Sequence, residues 1–499
     1  MDNELLTATT LDLLKDLQKW RIRAVERVDL SSALWSERDR EVHVETLSRL
    51  TCMQRIMETI DPKNKDATVE LTIPLTDLPA VPIIDLDVRV AGEEAYRIPI
   101  EESAQLQAKY IARLARDVDH DIEDLNDFLA AIFYFPHDAY RQIWQSYNHL
   151  RPQSWTNWMR LKYGEGDPVR DYLESNVGLS FKFSDADYRE WLEISQTIGS
   201  IAGEYAFHDH LSGPAHPLIT LPHLEREMSK SHHTARGEAL NKEKVSELLI
   251  RLCDFLTEVH KRTNMACENP DLHHRNAHNK LLTTYSGYGG RWMAFARCHV
   301  PVNKPFIIHT KARVPVYFTK TRDRSCITHH IRKRAWQTFA FADAKANHLS
   351  ISVSDTATRL DTRCTALDER GNPTPIADDE QTTFELYLRY DSNETRSQRI
   401  LVGTPLRITR ISSVFLWLTV LITALGLSVL CWRVVNGKLS TEDTAVILLP
   451  VTFAAAFLLA RDTSTLSMRI RRIRQAILIV ELFTLISLVF VLYFAHMIS

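Results

Sequence analysis

Cysteine is scarce and shows no pairing pattern. Seven cysteines (Cys52, Cys253, Cys267, Cys298, Cys326, Cys364 and Cys431) are scattered over 499 residues, and no CxxC occurs. An odd, dispersed set excludes a disulfide framework and points to reduced thiols in a reducing compartment. Glycine and proline are few, 15 and 19 residues, which excludes collagen-like and Gly/Pro-rich disordered chains. Internal repeats and long low-complexity linkers are lacking. The first residues, MDNELLTATTLDLLKDLQKW, lack the basic and apolar regions of a secretory leader, so the first 400 residues are expected to stay in the cytosol. Nucleotide-binding and hydrolase signatures are missing too. No GxxxxGK[ST], no GxGxxG ahead of a helix, no GxSxG and no HExxH is found. Nothing assembles a nucleophile, a base and an orienting group, so the expectation is no enzyme, no catalytic residue and no cofactor.

What is present is a core-forming chain with segregated charge. Apolar residues make up 45% and charged residues 25%, near the globular average. The formal charge of −3 is unevenly spread: Lys304–Arg334 holds nine Lys/Arg against Asp323 alone. From Gly403 to the end, nine Lys/Arg face Glu442, Asp443, Asp462 and Glu481. The rest of the chain is correspondingly acidic, and an isolated basic stretch in an acidic chain suits an anionic partner.

Long apolar runs are confined to the last ninety residues: Ile411–Cys431, Thr444–Ala460 and Ala476–Ala495. A helix needs about 20 apolar residues to cross hydrocarbon, with a lower limit near 17. The link between the second and third runs carries Arg461, Arg469, Arg471, Arg472 and Arg474 against Asp462. Arginine-rich links face the cytoplasm. The expectation is therefore three crossings of the cell inner membrane, a large cytoplasmic N-terminal region and a short C-terminus outside. Glu481 lies inside the third run. One reading has it snorkel toward Arg474. The other joins it with Thr484 and Ser487, at spacing three, as a polar pore-lining stripe in an oligomer.

The expected fold class is an α+β cytosolic region, with a β-rich sandwich-like part and a helical insert, followed by a C-terminal α-helical transmembrane domain of three helices. The segments are 1–60 helical, 61–102 β-rich, 103–290 a helical insert, 291–403 a juxtamembrane β-rich domain and 411–499 transmembrane. Apolar spacing in LLTATTLDLLKDLQKW and VETLSRLTCMQRIMETI supports the first. Short alternating runs such as ATVELTIPL, PIIDLDVRV and TTFELYLRYDS support the β-rich parts.

Two side-chain constellations bear on function. The histidines of FHDHLSGPAHPLITLPH (His208, His210, His216, His223) and LHHRNAHNK (His273, His274, His278) include an i, i+4 pair, but no carboxylate or cysteine completes a metal set. They read as polar surface or loop, and no metal is expected. The stretch KTRDRSCITHHIRKRAW carries Lys320, Arg322, Arg324, Arg332, Lys333, Arg334 and Trp336. Arginine forks take phosphates bidentately and an indole stacks on a base. Three readings stay open: a solvated charge run, a patch facing anionic lipid, and a pocket for a nucleotide or a nucleic-acid strand.

Two segments carry a resemblance. FADAKANHLSISVSDTATRLD (Phe341–Asp361) and LLPVTFAAAFLLARDTSTLSMRIRRIR (Leu448–Arg474) resemble the strand entry and membrane hairpin of bacterial membrane effectors of nucleotide-signalled anti-phage defence, the Hailong-type effector being nearest. The resemblance covers about the C-terminal third. It implies an oligomeric ion channel held shut by short single-stranded DNA that a partner nucleotidyltransferase makes, and membrane depolarisation on opening. The expected partners are further copies of the chain, the lipid bilayer, and single-stranded DNA or a nucleotide. The alternative is a non-channel membrane anchor or scaffold that recruits a protein.

Overall fold

The computed structural model describes residues 3–134 and 333–436 apart from short gaps, 185–205, 242–265 and 272–316 throughout, and parts of 465–491. The chain opens with helix α1 (Asn3–Lys15) and one short turn, α2 (Leu17–Trp20). Trp20 is 1% exposed, and its indole N–H donates to the Leu13 carbonyl at 2.9 Å, which folds the turn back on α1. Strands β1 (Arg21–Asp29) and β2 (Trp35–Val44) then form an antiparallel pair. Here the expected N-terminal helical segment gives way to sheet. The alternation is strict, with Ser36, Arg38, Arg40, Val42 and Val44 all pointing inward along β2. Two arginines at inward positions disguise the period of two that marks a strand.

Beyond a single turn, α3 (Gln54–Met57), the chain forms β3 (Thr68–Pro79), β4 (Ile84–Val90), β5 (Glu93–Glu94) and β6 (Tyr96–Arg97). Val90 faces Glu93 across the β4–β5 hairpin, so Ala91 and Gly92 form its two-residue turn. Both have positive φ, 55° and 89°. That geometry matches the right-handed strand twist.

Helices α4 (Ile100–Arg116), α5 (Asn126–Tyr134), α6 (Asp185–Tyr205), α7 (Lys242–Met265) and α8 (Leu272–Gly290) follow. In α4 the buried residues Ala104, Ala108, Ile111 and Ala115 recur every three or four positions. Glu101 and Glu102 sit in its first turn, where the helix dipole favours acids. After β7 (Arg291–Pro301) and β8 (Phe306–Pro315) come β9 (Lys333–Phe341), β10 (Ala346–Ser352), β11 (Thr358–Leu360), β12 (Thr365–Leu367), β13 (Asp378–Asp379), β14 (Thr383–Arg389) and β15 (Gln398–Ile408).

Three sheets result. The largest has the order β13-β14-β10-β1-β2-β8-β4-β5, and within it β1 and β10 run parallel. A second has the order β3-β7-β6. In the third, β15 is central: β9 pairs one edge along its full length, and β11 and β12 pair with β15 as well. The larger core joins α1, α4, α5 and α8 to β3 and β7, with Phe128, Phe295 and Leu71 at its heart. A second core lies between β9/β15 and β1/β10/β14, where Phe339, Phe384, Ile400 and Leu406 are 0–1% exposed. Leu466 is buried in that second core, and the Thr465 hydroxyl lies 3.1 Å from both Ser32 Oγ and the Ala33 amide nitrogen.

The C-terminal expectation is corrected. Among the described residues no helix is long and apolar enough to cross a membrane. The run 444–460 lies outside the described residues, and 476–495 is described as unbroken helix only over 482–488. The run 411–431 falls within one helix, α9 (Arg410–Asn436). The three-helix transmembrane domain, the transmembrane designation and the multi-pass inner-membrane placement with an outside C-terminus are withdrawn on this finding.

Candidate functional site

Of the cationic residues singled out in the sequence, Lys320, Arg322, Arg324 and Arg332 lie outside the described residues. Lys333, Arg334 and Trp336 lie on β9. The backbone register places Lys333 opposite Leu406, Arg334 opposite Pro405 and Trp336 opposite Gly403. β15 ends at Ile408 and α9 starts at Arg410. The basic stretch therefore continues into a strand laid along the segment that leads into the C-terminal helix.

The other end of β9 runs into a buried ionic cluster that the sequence reading missed. Asp343, two residues past the strand, accepts from Arg21 Nη1 at 2.5 Å and from Arg40 Nη2 at 2.5 and 2.6 Å. Arg40 Nη1 also meets Glu26 Oε2 at 2.8 Å and the Ala340 carbonyl at 3.3 Å. Arg38 stands 3.7 Å from Glu26, with its guanidinium 4.5 Å from the centre of the Phe339 ring. Arg21 donates to the carbonyls of Pro74 and Leu75 at 2.6 and 3.1 Å. One carboxylate thus ties β9 to β1, β2 and β3.

The local sequence explains the geometry. Inward alternation on β1 and β2 brings Glu26, Arg38 and Arg40 to one interior face. Asn347 caps the tight turn after Asp343, with Nδ2 donating to the Ala344 carbonyl at 2.6 Å and Oδ1 accepting from the Ala344 amide at 3.2 Å. Asp77 and Arg291, 3.1 Å apart, extend the ionic region, and a cavity of about 20 Å³ between Arg38, Arg40, Thr76, Asp77 and Thr310 has room for one water molecule.

Burial lowers the Arg21 pKa to about 10, with Asp343 opposing and Arg40 adding to the fall. Burial also acts to lower Arg40, yet Asp343 and Glu26 outweigh it and the net direction is upward. The contrast follows from partner number: Arg40 has two carboxylates against one for Arg21. Gln337, 3% exposed on β9, has neither amide atom hydrogen-bonded among the described residues.

Among the described residues, none of the remaining candidates joins this region. Glu481 lies outside the described residues. Thr484 and Ser487 are exposed, and the Thr484 hydroxyl donates to the Val480 carbonyl at 2.8 Å within its own helix. Without the spans, the pore reading loses its setting. His208, His210, His216 and His223 also lie outside the described residues. His273, His274 and His278 belong to α8 rather than to a loop, and His278 is 7% exposed, inside the helical core. Burial of arginines is rare enough that no sequence pattern proposes it. The one available signal was the period of two in SERDREVHV.

No protein-family model, curated protein or solved structure matches the chain.

Proposed function

We propose that the protein is a non-catalytic effector that senses an anionic ligand, a nucleotide or short nucleic acid, through the basic stretch Lys320–Trp336. Occupancy is passed to α9 by the β9–β15 ladder. The observation that supports this reading is the nine-residue register from Phe341↔Gln398 to Lys333↔Leu406, which ends four residues ahead of α9. A ligand that prefers one placement of β9 shifts that placement's population by its difference in affinity. The Asp343 cluster holds the far end of β9, so movement is directed toward β15. The resemblance adds the expectation that a partner nucleotidyltransferase supplies the ligand in anti-phage defence. Ion conduction is left out, because it needs the spans withdrawn above.

The test is fluorescence anisotropy of labelled single-stranded DNA and of nucleotides across a salt series. Binding should weaken with salt, with a log–log slope reaching about −3.5 if all five arginine and lysine candidates from Arg322 to Arg334 contact phosphate. Replacing Arg322, Arg324, Arg332 and Arg334 by alanine should reduce affinity at least about tenfold. Hydrogen exchange over 398–408 should slow when ligand is present. Absence of binding at low salt, or equal binding by the variant, rejects the reading.

A second reading, a scaffold that recruits a protein, is favoured by α9 itself. Val414, Trp417 and Trp432 on that helix are 64%, 55% and 62% exposed. Exposed apolar patches of this kind mark association surfaces.

A further inference from the structure

We propose that Asp39, Glu41 and His309, on the outer face of the largest sheet, form a binding site for one divalent transition-metal ion. This inference is independent of the ligand-sensing reading. Asp39 and Glu41 are two residues apart on β2 and so point to the same face. His309 on β8 lies directly opposite Glu41 in the antiparallel register. Its Nε2 is 2.8 Å from Asp39 Oδ1, and one ligand atom from each of the three residues lies within 4.8 Å of the others. Tetrahedral zinc ligands at about 2.0 Å from the metal stand a little over 3 Å apart, so modest rotations about side-chain bonds close the set. The backbone needs no movement, because β2 is paired on both edges, by β1 and by β8.

The electrostatics are suited to a reversible site. Arg27 reaches Glu41 at 3.3 Å, and Lys311 lies opposite Asp39 in the ladder. These cations offset the carboxylates in the metal-free protein and compete with an incoming ion. The three side chains are about one-third exposed, so water can fill a fourth position. One imidazole nitrogen with two carboxylate oxygens suits zinc or manganese better than calcium, which takes oxygen alone.

The chain holds 20 histidines, so bulk metal uptake is uninformative and the test is a difference. Zinc and manganese are titrated calorimetrically into the chelator-treated full chain and its variants. His309→Ala should bind one equivalent fewer than the wild type. Glu41→Gln should weaken that equivalent at least about tenfold, and Arg27→Gln should strengthen it. Zinc should raise the Tm of the wild type more than that of His309→Ala. Equal stoichiometry and affinity in the wild type and His309→Ala overturns the proposal. If circular dichroism shows that His309→Ala is misfolded, Glu41→Gln decides alone: unchanged affinity there is equally fatal.

Discussion

Asp343 is the residue on which most elements depend. It pairs with two buried arginines at once, and its own side chain is 4% exposed. Removing one member of a buried ionic set leaves the others charged and unpaired, which costs about 3–5 kcal/mol. Asp343→Asn keeps the shape and removes the charge. Urea unfolding should show a loss of that size, and a change below about 1 kcal/mol would mean that the cluster contributes shape rather than charge. A smaller effect of opposite sign belongs to Ala91. Its φ of 55° lies in the left-handed region, which an L side chain occupies at a cost of about 1–2 kcal/mol. Glycine avoids that cost but loses more entropy on folding. Ala91→Gly should therefore raise stability by about 0.5–1 kcal/mol, read as a rise in the thermal midpoint. A lowered midpoint would show that the Ala91 side chain makes a stabilising contact that outweighs its strain.

At the level of elements, α9 shows two unlike sides. Val414, Trp417, Leu421, Leu425 and Trp432 recur at spacings of three, four, four and seven, and each is at least 55% exposed. Thr423, about half a turn round from this stripe, is 1% exposed. One side is covered within the molecule and the other presents an apolar stripe, which suits association with further copies of the chain. Replacing Trp417 and Trp432 together by glutamine should shift the sedimenting species toward the monomer in a concentration series. A monomeric wild type would remove further copies of the chain from the expected partners. The sequence shows this helix plainly, because Ile411–Cys431 carries no charge over its whole length. β1 and β2 were not legible in the same way. Arginine, glutamate and aspartate at alternate positions hide the strand period, and arginine and glutamate are also good helix formers. The parallel pairing of β1 with β10 joins Arg23 to Ala346, and no local signal foretells so distant a partner. The candidate site was legible only through Lys333, Arg334 and Trp336. The buried cluster behind it depends on that distant pairing, and so had no local signature.

For the whole molecule, the buried ionisable groups fix the response to alkali. Burial raises Cys298 to about 12, and it raises Tyr110 and Tyr285 as well. A raised pKa means that the folded chain keeps its proton where the unfolded chain has lost it. The stabilisation is complete below the unfolded values, about 9 for the thiol and about 10 for the phenols, and is lost as pH rises toward the folded values. Arg21 works the other way. Lowered to about 10, it holds its buried charge at a cost that is relieved above that pH. Lys280, lowered chiefly by burial, also acts in this sense, and its effect ends at its ordinary value of 10.5. As pH rises above about 9 the raised groups, Cys298, Tyr110 and Tyr285 with Cys52 and Cys253, lose stabilisation, whereas the lowered Arg21 and Arg97 regain it at higher pH. The losing groups outnumber the gaining ones, so stability should fall with rising pH, the loss beginning near pH 9 as the thiols of the unfolded chain ionise. Urea midpoints at pH 8, 9, 10 and 11 trace the curve. Tyr110→Phe and Tyr285→Phe together should flatten it above pH 10 by removing the two losing phenols. A midpoint that stays constant from pH 8 to 11 would show that the tyrosines and Cys298 reach water in the folded chain, and that the larger core is more open than its packing implies.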